Sequence, residues 1–342
     1  MIDLRSDTVT RPTDGMRAAM AAAPVGDDQF GEDPSINELQ ARIAALLGKD
    51  ASLWLPSGTM ANQVALRALT RPGDDVIVSR ESHAVWHETG GGGANAGVQF
   101  TEIGAGGRFT PNDFVAAVKP RDHMLYPPTT LVEVENTHNR AGGIVIDQDD
   151  AARVCAAARE RQITSFLDGA RLWNAAIASG KSVAELAAPF DVVSVALSKG
   201  LGAPAGTMLA GRRDVMRTCI RHRRMLGGAM RQVGILAAAG LYALDHHVER
   251  LADDHANAKL IASRLRSSPR VTLVADPIET NIVIFSLAAG APDAPAVVAA
   301  AREKGVLIVA FGPRTVRAVT HLDVTREQCE RAATVLLDIV GH

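Results

Sequence analysis

The stretch Ser198-Lys199-Gly200-Leu201-Gly202-Ala203-Pro204-Ala205-Gly206-Thr207 follows the apolar run DVVSVAL at residues 191–197. The run reads as a buried strand, and the Gly/Ala/Pro loop ends it. A lysine where strand meets tight loop presents its amine at the mouth of a sheet. Partial desolvation there lowers its pKa, and such an amine can form a Schiff base with a carbonyl compound. Taken alone, Lys199 is more economically a solvated loop lysine. Two further stretches change that weighting.

Upstream, ITSFLDGAR (residues 163–171) closes an apolar strand with an acid, turns on Gly-Ala and continues with an arginine. A pyridoxal phosphate enzyme needs a carboxylate beside the pyridine nitrogen, because the protonated ring is an electron sink. Asp168 is the candidate carboxylate and Lys199 the candidate Schiff-base amine. Asp168 equally suits an N-cap before a helix over residues 171–177. Earlier still, SLWL (52–55) runs into Pro56-Ser57-Gly58-Thr59-Met60-Ala61-Asn62, a strand, a small-residue turn and a helix start. A helix start offers free N–H groups and a positive dipole end to a phosphate. Gly58 permits close approach, Ser57 and Thr59 add hydroxyls. Phosphate turn, acid and lysine in this order point to one cofactor, pyridoxal 5'-phosphate.

Longer segments carry a resemblance. IDLRSDTVTRPT (2–13), VGDDQFGEDPSINELQ (25–40), PSGTMANQVAL (56–66), ENTHNRAGG (135–143), DGARLWNA (168–175), SKGLGAPAGT (198–207), MLGGAMRQVGILAAAGLYAL (225–244) and VTHLDVTREQ (319–328) run in unbroken order. The chain resembles the low-specificity L-threonine aldolases, pyridoxal phosphate enzymes of fold type I, the aspartate aminotransferase fold. The resemblance implies an α/β fold. A large cofactor-binding domain with an N-terminal arm would cover 1–245, its mostly parallel sheet flanked by helices, and a small α+β domain would cover 246–342. It also implies the cofactor on Lys199, His83 stacked on its ring, Ser6 and Arg317 on the substrate carboxylate, and Arg231 reaching the phosphate across a subunit interface. Arg171 would share the carboxylate or bond the cofactor's phenolate oxygen. The active unit would then be a homo-oligomer of at least two subunits, and the family suggests a tetramer.

Composition agrees with an enzyme of this kind. At 342 residues the chain exceeds a usual single core, so two domains are expected. Apolar residues at 47% and charged at 22% describe a globular protein, and a net charge of −2 provides no basic stripe for nucleic acid. Three scattered cysteines, Cys155, Cys219 and Cys329, fit a reducing cytoplasm and suggest neither a disulfide framework nor a metal site. No signal peptide or membrane span is expected.

Strand-like runs at 53–55, 75–78, 98–103, 131–134, 164–167, 192–197 and 207–209 alternate with helical patterns, as in a doubly wound sheet. Ligands on such sheets bind beyond the strands' carboxyl ends, where Thr59, Asp168 and Lys199 fall. Helices are expected at 34–48, 149–161, 233–244 and 248–265. The smaller domain shows candidate strands at 271–274, 282–285, 306–309 and 315–319, with helices at 295–304 and 325–339.

Some residues stay open. Glu88 suits either the site's support or a helix cap, and Asn136 and His138 either orient site groups or satisfy a turn. His87 stands where the family has an aromatic residue. Phe30 stands where it has tyrosine. Ten residues before ENTH, where many members place a histidine for the substrate's β-hydroxyl, the chain has Leu125 with His123 and Tyr126 beside it, so that either one of those two substitutes or the hydroxyl is handled by His83 or water. The expected reaction is retro-aldol cleavage of an L-β-hydroxy-α-amino acid to glycine and an aldehyde. β-Elimination by the same cofactor, action on a bulkier β-hydroxy amino acid, and a silent protein that kept the fold are the alternatives.

Overall fold

The computed structural model describes residues 1–341. Its central sheet has seven strands in the spatial order Ala51–Leu55, Thr207–Gly211, Val192–Ala196, Thr164–Gly169, Thr129–Glu135, Asp75–Ser79, Gln99–Ile103. Five of these pair in parallel through four ladders, from Gln99–Ile103 across to Val192–Ala196. Thr207–Gly211 runs antiparallel to both of its neighbours. That reversal follows from the loop at Lys199: a ten-residue connection is too short for a helical crossover and returns the chain beside its own strand. Val192–Ala196 is buried at every position, as expected of a strand with helices on both faces.

The flanking helices carry their own start signals. Asp33 caps Pro34–Leu46 by accepting from the Ile36 N–H at 3.1 Å, with Pro34 in the first turn where no donor is lost. Ile36, Leu39 and Ile43 on one face of that helix are fully buried. Each such side chain contributes about 1.5–3 kcal/mol. Ser57 caps Gly58–Leu69 through the Met60 N–H at 3.2 Å.

A four-stranded antiparallel sheet, in the order Val309–Gly312, Thr315–Val319, Ile282–Leu287, Val271–Leu273, follows the helix Leu251–Leu265. The strand expected at 306–309 is two strands: Val306–Leu307 pairs in parallel with Ile2–Asp3 of the N-terminus, and Val309–Gly312 joins the antiparallel sheet. The first residues therefore lie as an arm along the C-terminal part of the chain, where the Val319 N–H donates to Leu4 O at 2.8 Å. The arm then reaches the lysine loop, the Thr10 hydroxyl donating to Lys199 O at 3.0 Å. The arm thus touches both sheets' site-bearing loops.

Candidate active site

Four parallel strands end together and deliver the site. Lys199 follows Val192–Ala196, Asp168 lies in Thr164–Gly169, Glu135 closes Thr129–Glu135, and His83 opens the short helix His83–Trp86 after Asp75–Ser79. The lysine loop is held by its backbone: Lys199 O accepts from the Gly202 N–H at 2.9 Å as well as from Thr10. Gly206 has φ +116, and a Cβ there would meet Trp54 Nε1 at 2.5 Å, so only glycine fits. The Lys199 amine has no hydrogen-bond or ion-pair partner among the described residues. Burial, then the charge of Arg171, lowers its pKa to about 8 against the pull of Asp7, Asp168 and Glu135. It is a partly neutral amine near physiological pH.

Asp168 is buried and tightly dressed. Its Oδ2 accepts from Asn62 Nδ2 at 2.8 Å and its Oδ1 from the Ala170 N–H at 3.1 Å. The N-cap position of the helix Leu172–Ser179 falls at Arg171, without a side-chain capping bond, rather than at Asp168. The same Asn62 amide donates to Glu88 Oε1 at 2.8 Å, and Gln63 Nε2 to Glu88 Oε2 at 2.7 Å. Glu88 in turn meets His83 Nδ1 at 3.0 Å. Glu88 is therefore a supporting group of the site and no helix cap. Glu135 Oε2 accepts from the His83 N–H at 2.7 Å and its Oε1 from the Asn139 N–H at 2.8 Å. Asn136 donates its N–H to Asp168 O at 2.9 Å and accepts from the Ile146 N–H at 3.2 Å, so it orients the strand end. His138 Nδ1 accepts from the Ala141 N–H at 3.2 Å, closing the turn that follows.

Glu88, Glu133, Glu135 and Asp168 form a buried acidic cluster, with His83, His138, Arg171 and Lys199 as the cationic groups around it. Burial first, and the charge of Glu135 second, push Asp168 upward. Glu133 has no hydrogen-bond partner for either oxygen, and burial with the charges of Asp168 and Glu88 raises its pKa well above the carboxylate range. The cluster favours a bound cation, as a protonated pyridine is.

Glu133 carries a stability prediction. With its pKa raised in the folded state, its contribution is fully present below about pH 4.3 and is lost as pH rises toward the folded value. Glu133→Gln removes that loss. In thermal melts from pH 4.5 to 9, the variant should gain on the wild type by up to ~1.4 kcal/mol per pH unit within that window. A pH-independent difference would show that Glu133 is ionised in the fold.

The other expected residues lie in several parts of the fold. Ser57, Gly58 and Thr59 do start a helix beside the lysine loop: a Cβ on Gly58 would lie 3.7 Å from Thr207 Oγ1, and that hydroxyl is buried without a partner. The unpartnered Thr207 hydroxyl and the adjacent helix start would suit a phosphate, and buried Asp168 a protonated pyridine, so the residues present fit the cofactor at both its charged ends. Arg317 and Ser6 are brought together by the arm, with Arg317 Nη2 donating to Arg5 O at 3.3 Å and Nη1 to Asn139 Oδ1 at 2.8 Å. Arg317 Nε is buried with no partner. Burial and then Arg171 lower its pKa to about 10, so it remains cationic. Ser6 caps the turn Asp7–Val9, accepting from the Thr8 N–H.

Arg171 and Arg231 both meet protein groups within the chain. Arg171 gives Nε to Asp7 Oδ2 and Nη2 to Asp7 Oδ1, each at 2.7 Å, so its bidentate edge is occupied by protein. Arg231 is exposed and faces Gln29 and Asp27 rather than the lysine. His123, Leu125 and Tyr126 are in the loop before Thr129–Glu135, at the opposite end of a strand whose length is roughly 20 Å. Leu125 and Tyr126 are exposed there, and none of the three reaches this chain's own site. Phe30 is likewise exposed. Sequence reading missed Asp7, Asn62 and Glu133. The signal for Glu133 was present: acids at alternate positions of an otherwise apolar strand share one buried face.

A profile of the β-eliminating lyase family matches residues 3–289. A low specificity L-threonine aldolase of Escherichia coli O157:H7 is 43% identical over 334 residues, covering 97% of each chain. The chain belongs to the L-threonine aldolase family. Low-specificity L-threonine aldolase 1 of Arabidopsis thaliana is 36% identical, over 95% of this chain and 92% of the plant protein. The threonine aldolase structure of Leishmania major superposes with a TM-score of 0.84 over the whole of both chains at 20% identity, which establishes the shared fold. The family depends on pyridoxal phosphate, and the acidic and phosphate-binding ends of the site described above suit that cofactor.

Proposed function

We propose that this chain cleaves the Cα–Cβ bond of L-threonine and L-allo-threonine, releasing glycine and acetaldehyde. The observation that carries the reading is the unpartnered Lys199 amine beside buried Asp168, in a chain 43% identical to a low specificity L-threonine aldolase. Lys199 would hold the cofactor covalently, the Ser57-Gly58-Thr59 start and Thr207 its phosphate, Asp168 its pyridine nitrogen, and His83 a face of its ring. When bound, pyridoxal phosphate supplies the sink for the electron pair left on Cα. Arg317, with its free Nε and its fixed Nη atoms, binds and orients the substrate carboxylate together with Ser6. A base takes the β-hydroxyl proton, the Cα–Cβ bond breaks, and the oxygen's electron pair becomes the aldehyde carbonyl. With a pKa of about 8, Lys199 is poised to hold or return a proton near neutral pH, and protonation at Cα completes glycine.

The family profile also supports a second reading, β-elimination, which would turn threonine into 2-oxobutyrate and ammonia. Incubation of the cofactor-loaded protein with L-threonine and L-allo-threonine, with all four products assayed, separates the two. Glycine and acetaldehyde in equal amounts are expected. 2-Oxobutyrate with ammonia would replace the aldolase reading by elimination.

We place the active unit as a homo-oligomer in which Arg231 serves a partner subunit's phosphate site. The exposed guanidinium and the exposed Phe30 and Met230 support that arrangement. Three buried, unpaired cysteines support a reducing compartment such as the cytoplasm.

A further inference from the structure

The reaction proposed above needs a base for the β-hydroxyl, and the loop with Leu125 and His123 lies at the far end of its strand. His83 and His87 stand at the two ends of the short helix that follows Asp75–Ser79. His83 sets Nδ1 against Glu88 at 3.0 Å, and its backbone N–H donates to Glu135 at 2.7 Å. His87 has its ring centroid 5.4 Å from that of His83, and its ring nitrogens have no protein partner among the described residues. Its ring stacks on Phe311 at 5.9 Å with 13° between planes, and the Arg317 guanidinium lies 4.6 Å from the same Phe311 ring. The carboxylate-binding arginine and the free imidazole are thus set against one aromatic side chain. In a substrate whose carboxylate lies on Arg317, the β-carbon is two bonds from the carboxylate carbon.

Resting on the aldolase reading, we infer that His87 is the group that takes the proton from the substrate's β-hydroxyl. The O–H bond breaks toward an imidazole nitrogen, the freed oxygen pair forms the carbonyl, and the Cα–Cβ pair stays on Cα. The imidazolium returns its proton to solvent or to Cα, so the sum is one amino acid giving glycine and one aldehyde. Electrostatics divides the two histidines in the direction this needs. For His87, burial and then the charges of His83, Arg140 and Arg317 outweigh Glu135 and lower the pKa, which keeps the ring neutral and basic. For His83, burial opposes the charged form, but the Glu88 hydrogen bond and Asp168 outweigh it and raise the pKa, which favours the protonated ring, the opposite direction from His87. Those partners, from its own helix, the end of Thr129–Glu135, the following loop and the strand Thr315–Val319, are the charged groups around His87.

The test uses cofactor-loaded wild type and His87→Phe, which keeps the stacking on Phe311 and loses the nitrogens. Glycine has no β-carbon, so the spectral change it induces in the bound cofactor reports carboxylate and amine binding alone. His87→Phe should bind glycine within about twofold of wild type while its kcat on L-threonine falls roughly 10²–10⁴-fold. The acidic limb of the kcat/KM–pH profile, falling below a pKa under 6.5, should vanish with it. A variant with unchanged kcat and an unchanged acidic limb overturns the role of His87 and leaves the aldolase reading standing. A wild type that binds glycine but releases no acetaldehyde from threonine overturns the aldolase reading, and this inference with it.

Discussion

Lys199→Ala is expected to abolish threonine cleavage, by roughly 10³–10⁶-fold, the scale on which removing an active-site nucleophile acts. The visible absorbance of the protein-bound cofactor should be lost with it. Lys199 stands in the loop that leaves the carboxyl end of Val192–Ala196. Lys49 donates to Phe190 O, and Lys119 pairs with Asp75, the first residue of its strand and so at the other edge of the sheet. Neither can stand in. The variant should still fold, because the loop is held through Lys199 O rather than through the side chain, whose amine has no protein partner. A melting temperature within a few degrees of wild type, with absorbance and turnover both gone, is the expected pair of results. Retained turnover would remove Lys199 from the chemistry.

The second large effect is on stability. Asp7→Ala breaks an ion pair in which both partners are buried and which is joined by two hydrogen bonds of 2.7 Å. Asn281 Nδ2 adds a third at 3.2 Å. Burial alone would raise the Asp7 pKa; the charge and hydrogen bonds of Arg171, then Lys199 and Asn281, reverse that and hold it well below the carboxylate range. Removing the acid strands a buried guanidinium, at a cost of about 3–5 kcal/mol. Because the folded pKa is depressed, the pair's contribution is present at neutral pH and fades only as pH falls below about 3.9 toward the folded value. Denaturant melts at pH 7 and pH 3 should therefore show a large loss for Asp7→Ala at the higher pH and a smaller one at the lower. Equal losses at both would mean that packing, rather than charge, makes Asp7 important. The same acid sits on the arm that carries Ser6, so the variant should also weaken substrate binding.

Much of the site was legible in the sequence because its parts are local. Lys199 and Asp168 each end an apolar run, and a strand's end can be read from composition and period alone. The helix start at Gly58 is signalled by its own Ser57 cap. What escaped depends on contacts between distant segments. Nothing within RSDT says that Asp7 rather than Ser6 meets Arg171, since the two are 164 positions apart and meet only because the arm pairs with Val306–Leu307. The split of the strand expected at 306–309 has the same origin. Asn62 reads as an ordinary helix residue until the turn at Ser57 aims it at Asp168 and Glu88 together. Likewise His87 acquires a setting only when Phe311, from the C-terminal sheet, is brought against it.

The most direct test of the central claim is to follow L-threonine labelled with carbon-13 at Cβ and the methyl group by NMR in the presence of the cofactor-loaded enzyme. Both labelled carbons should leave together as acetaldehyde and its hydrate, while an equal amount of glycine appears without label. Label retained in a four-carbon 2-oxo acid, or a threonine signal that persists although the cofactor spectrum responds to it, would contradict cleavage at Cα–Cβ.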